Sequence, residues 1–81
     1  MGKKLVATAD MEIDGRTYAL RYYEQETARG ARRYSCEVML GADDLVIVDD
    51  DSMTSLESKV MRLAPASIYS RLLAARASVA A

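Results

Sequence analysis

The pair Asp14-Gly15 lies between two stretches that alternate apolar and polar residues, MEI before it and TYALRYY after it. Asp-Gly between alternating segments selects a two-residue hairpin turn, because both central positions need a positive φ that few other pairs tolerate. Taken as that turn, it sets Ile13 opposite Arg16, Met11 opposite Tyr18, Ala9 opposite Leu20 and Ala7 opposite Tyr22. One face then collects Leu5, Ala7, Ala9, Met11, Ile13, Tyr18, Leu20 and Tyr22. The other collects Lys4, Thr8, Asp10, Glu12, Thr17, Arg21 and Gln25. A one-residue slip would turn every apolar group toward water, so the register is strongly specified.

The segment RRYSCEVML alternates in the same way, with Tyr34, Cys36, Val38 and Leu40 on one face and Arg33, Ser35, Glu37 and Met39 on the other. Matching its apolar face to the hairpin requires an odd-length connection. A loop over residues 27–31, with Gly30 inside, pairs Tyr22 with Cys36, Leu20 with Val38 and Tyr18 with Leu40. The same register sets Arg21 opposite Glu37 on the outer face, a mildly favourable cross-strand pair. After a turn at Gly41-Ala42, DLVIVD reads as a short fourth strand. Its two faces are equally apolar, so Leu45 with Ile47, or Val46 with Val48, can face outward.

Beyond residue 51 the period changes to that of a helix. Thr54 with Glu57 has capping-box spacing, and Ser52 with Ser55 offers a second cap. Leu56, Val60 and Leu63 form one apolar stripe, and Ile68, Leu72, Ala75 and Val79 form another, offset by about one residue. Between them stands Pro65, which lacks an amide proton and crowds the preceding turn. The expectation is an α+β fold: a four-stranded antiparallel β-meander followed by one kinked or two short C-terminal helices packed on the sheet. Strands are expected over about 4–13, 16–26, 32–40 and 44–48 and helices over about 53–64 and 66–78, within a single domain spanning residues 1–81.

Composition narrows the function. The chain has no histidine, which removes His-based acid–base chemistry, the common nucleophile pairs and ordinary zinc sites. With no glycine-rich phosphate loop either, no enzyme, cofactor or metal centre is expected. Cys36 stands alone and falls on the core face of a central strand, where it acts as a small hydrophobe. Tyr18, Tyr22 and Tyr34 read as core. A single cysteine and the lack of any long apolar run fit a cytoplasmic protein without membrane contact.

Charge is distributed unevenly. Residues 34–57 hold seven acidic residues and no basic one, whereas residues 58–81 hold four basic residues and no acid. Asp49, Asp50 and Asp51 precede a helix N-terminus, where negative charge is favoured, and Asp43 and Asp44 flank the far end of an edge strand. Those roles account for the cluster without a cation.

Two surfaces remain as candidate sites. Arg21, Tyr23, Arg29, Arg32 and Arg33 gather on the outer face and at the second hairpin, where cations around an aromatic ring suit a nucleic-acid strand. Against this, the chain is net acidic, at −1. The other surface is the outer sheet face, with apolar Val6, Ala19, Tyr23 and Met39 and, in one register, Leu45 and Ile47. Either the segment after Pro65 folds back to cover it, or another protein does, most simply a second copy. The sequence therefore points to a small non-catalytic interaction module acting as a homodimer, with nucleic-acid binding as the alternative.

Overall fold

The computed structural model describes the backbone of residues 2–80 and the side chains of residues 2–76. Four strands, β1 (Lys3–Ile13), β2 (Arg16–Glu26), β3 (Arg32–Gly41) and β4 (Asp44–Asp50), form one antiparallel sheet in the order β1-β2-β3-β4. A single helix, α1 (Met53–Ala80), follows. The architecture is α+β, and no helix among the described residues is long and apolar enough to cross a membrane.

Asp14 and Gly15 make the first turn with φ of 51° and 77°, the left-handed pair that a tight hairpin demands. The β1–β2 register holds Ile13 to Arg16, Met11 to Tyr18, Ala9 to Leu20 and Ala7 to Tyr22. The β2–β3 ladder runs from Glu26–Arg32 to Leu20–Val38, through Tyr22–Cys36 and Arg21–Glu37, and ends before the expected Tyr18–Leu40 pair. Thr27 closes the intervening loop: its amide bonds the Ala31 carbonyl at 2.7 Å, and its hydroxyl accepts from the Ala31 amide at 3.1 Å. Gly30, with φ of 83°, supplies the left-handed corner.

The fourth strand takes the register that turns Val46 and Val48 inward, opposite Val38 and Cys36, and leaves Leu45 and Ile47 outward. Near the start of β1 the ladder carries a bulge at Val6. Leu5 pairs with Tyr23 and Ala7 with Tyr22, so the strand gains a residue between them. The bulge reverses the faces of everything before it. Leu5, expected on the core side, lies on the outer face, and Lys4 moves to the inner one.

The helix corrects a second expectation. It passes through Pro65 without a break. Its buried row is Leu56, Val60, Ala64 and Ile68, each at most 1% exposed, with Leu72 packed against the same core. This is one continuous i, i+4 spine, whereas Leu63, read as part of the first stripe, is 41% exposed. A break at Pro65 would lift Ile68 and Leu72 from the sheet. Burial of side chains of that size is worth roughly 1.5–3 kcal/mol each, enough to offset the ~3 kcal/mol that a helix-interior proline costs. The helix therefore stays whole.

At its start the cap is Ser52. The Ser52 hydroxyl accepts from the Ser55 amide at 3.2 Å, and the Ser52 carbonyl accepts from the Leu56 amide. Thr54, the expected capping-box residue, already lies inside the helix. The aspartates act locally: Asp50 accepts from the Asp51 amide at 2.7 Å and meets Lys59 at 3.4 Å. That backbone hydrogen bond, with Lys59 nearby, holds the Asp50 carboxyl below its ordinary pKa.

Candidate functional site

α1 packs chiefly over β3 and β4, on the inner face alone. The segment after Pro65 does not turn to the outer face, so in this chain that face stays open. The outer face and the free edge of β1 are left uncovered as a result.

On the outer face, β4 contributes Leu45, 42% exposed, and Ile47, 56% exposed. Met39 stands opposite Leu45 and is half-buried, while Ala19 is exposed on β2. At the other end of the sheet, the bulge presents Leu5 beside Val6. Tyr23 lies between these groups under the Lys3 ammonium, which sits 5.3 Å from the ring centroid. Lys3 also reaches Glu37 at 3.7 Å, and Glu37 stands opposite Arg21. The middle of the outer face is thus a charged belt of Lys3, Arg21 and Glu37 separating two apolar ends.

The arginines proposed for nucleic acid are not brought to one surface. Arg21, Tyr23 and Arg33 lie on the outer face, but Arg32 belongs to the opposite face, where it pairs with Glu24. Arg33 is held by Asp49 at 3.1 Å, and Arg29 is exposed in the 27–31 loop. Basic side chains answered by carboxylates present less net charge to a phosphate backbone. Lys3 and Leu5 are members of the outer surface that the sequence reading did not include. Their placement depends on the bulge, which alternation alone does not mark.

The free edge of β1 is the second opening. Every residue from Lys3 to Asp10 is exposed, including Ala7 and Ala9, which point to the face that the helix covers elsewhere. β4, the opposite edge, is flanked by helix contacts: Arg71 holds Asp44 at 3.1 Å, and Lys59 donates to the Asp49 carbonyl at 2.9 Å. The hydrogen bond to Asp44 raises the Arg71 pKa further.

A groove of about 300 Å³ runs between the lower end of the sheet and the helix, lined by Arg16, Tyr18, Leu40, Ile68, Arg71 and Leu72 among others. Its Arg71 is already paired. Cys36 is fully buried against Tyr22. Among the described residues no three metal-ligating side chains converge. Comparison with protein-family models, with curated proteins and with solved structures finds no match to this chain.

Proposed function

We propose that this chain is a small non-catalytic interaction module that works as a homodimer. One observation carries the reading: a 28-residue helix covers only one side of the sheet, leaving the outer face and one long edge open in the single chain. The free β1 edge offers unpaired backbone groups that a second strand can satisfy, and Leu5 and Val6 near its start are exposed. Burial raises Tyr22 and Cys36 within the core, and Arg71 at the groove, raised by its hydrogen bond to Asp44, is already held in an ion pair, which favours binding over catalysis.

Nucleic-acid binding through Arg21, Tyr23, Arg29, Arg32 and Arg33 is the weaker reading, since Arg32 and Arg33 are already engaged with Glu24 and Asp49. The deciding experiment is molar mass by light scattering over a concentration series, at low and high salt. A mass near twice that of the chain at micromolar concentration is the expected result. A monomer across the whole series would overturn the homodimer.

A further inference from the structure

We propose that the free edge of β1 pairs with the β1 edge of a second copy, antiparallel, about a two-fold axis beside Ala7. The product is a continuous eight-stranded sheet. The proposal rests on the homodimer reading above and names its interface.

Charge along β1 supports this arrangement. Lys3 and Lys4 stand at one end of the strand, and Asp10 and Glu12 at the other. Antiparallel pairing reverses one strand against the other. Counted across the bulge at Val6, an axis at Ala7 sets Lys3 of each copy opposite Asp10 of the other on the outer face, and Leu5 opposite Thr8. Symmetry makes the opposite-charge pair twice. Shifting the axis to Thr8 exchanges Asp10 for Glu12 and keeps the complementarity. An axis at Asp10 would set Asp10 against itself, which is unfavourable.

The other two sheet surfaces are worse matched. Self-pairing of β4 would bring Asp44 of each copy against Asp50 of the other, and β4 is the shorter strand, seven residues against eleven. Face-to-face packing of the outer faces would bury the belt of Lys3, Arg21 and Glu37. Removing such charges from water costs more than exposed ion pairs return. An edge dimer leaves that belt wet.

The two-fold axis stands perpendicular to the sheet, so both helices lie on one side and both outer faces on the other. Ala7 and Ala9, exposed in the single chain, then lie at the seam between copies. Pairing uses up both β1 edges, and the acidic β4 edges discourage further addition, so assembly stops at two.

The test uses two charge variants, Lys3→Glu with Lys4→Glu, and Asp10→Lys with Glu12→Lys. Every altered residue is exposed, and circular dichroism is the check that each variant folds. Each variant alone is expected to dimerise at least ~tenfold more weakly, because its β1 carries one sign throughout. Mixed together, the two should recover heterodimer, resolved by a mass tag on one. In a separate variant, Ala7→Cys should give a covalent dimer under mild oxidation, Cys36 being fully buried. Dimerisation unchanged in both charge variants, with no Ala7→Cys cross-link, would overturn the edge interface and leave the homodimer standing. A wild-type chain that is monomeric at every concentration would overturn both.

Discussion

Tyr22 and Cys36 stand opposite each other on β2 and β3, and inside the core their hydroxyl and thiol interact. Burial raises both groups, Tyr22 from 10.0 to about 12 and Cys36 from 9.0 to about 11. The neighbouring thiol pushes Tyr22 further up, while a hydrogen bond from Tyr22 draws Cys36 part of the way back. Two ionisable groups thus sit side by side in the core.

Their titration predicts an alkaline limit to stability. Both pKa values are higher in the folded chain than in the unfolded one, so the folded state holds protons that the unfolded state releases. The contribution is whole below pH 9 and is lost as pH rises toward 11 for Cys36 and 12 for Tyr22. The urea midpoint should stay level to about pH 9 and then fall. In Cys36→Ala the baseline is lower, but the decline should begin nearer pH 10, the ordinary value for tyrosine. A midpoint unchanged to pH 11 would mean that the pair is not desolvated.

The unbroken helix spine makes opposite predictions for two neighbouring apolar residues. Ile68 is 1% exposed and belongs to the spine; Leu63 is 41% exposed and does not. Ile68→Ala should cost about 2–5 kcal/mol, whereas Leu63→Ala should stay within about 0.5 kcal/mol. Equal costs by chemical denaturation would restore the two-stripe helix broken at Pro65.

Capping separates Ser52 from Thr54 in the same way. Removing the Ser52 hydroxyl leaves the Ser55 amide without its acceptor, so Ser52→Ala should lose about 1 kcal/mol. Thr54 lies inside the first turn, where alanine is the better helix former. Thr54→Ala should therefore be neutral or slightly stabilising, and a larger loss there than at Ser52 would move the cap.

These contrasts mark where the sequence is readable. Asp14-Gly15 anchors the first register because a slip would expose Met11, Tyr18 and Leu20 together. Cys36 and Val38 anchor the second for the same reason. The bulge at Val6 is invisible because Leu5, Val6 and Ala7 are all apolar, so an extra residue breaks no pattern. The orientation of β4 stays open because Leu45, Val46, Ile47 and Val48 satisfy either face, and the structure decides it by placing the helix over Val46 and Val48. At Pro65 local chemistry argues for a break. The continuous row is hidden because Ala64, the member that bridges the proline, looks less hydrophobic than Leu63. On the surface, the arginine cluster is a cluster only in sequence: adjacent strand residues such as Arg32 and Arg33 point to opposite faces.

That last point carries a prediction about nucleic acid. Arg32 and Arg33 occupy exposed ion pairs with Glu24 and Asp49, each worth about 1 kcal/mol or less. Arg32→Ala with Arg33→Ala should therefore leave the fold intact and lower the denaturation midpoint only slightly. Fluorescence anisotropy with labelled single-stranded DNA and RNA should show no saturable binding at moderate salt, with or without the double substitution, because carboxylates already answer these cations. Saturable binding that weakens steeply as salt rises, and disappears in the double variant, would carry the signature of phosphate contacts. It would assign the open outer face, with Tyr23 as its stacking ring, to nucleic acid.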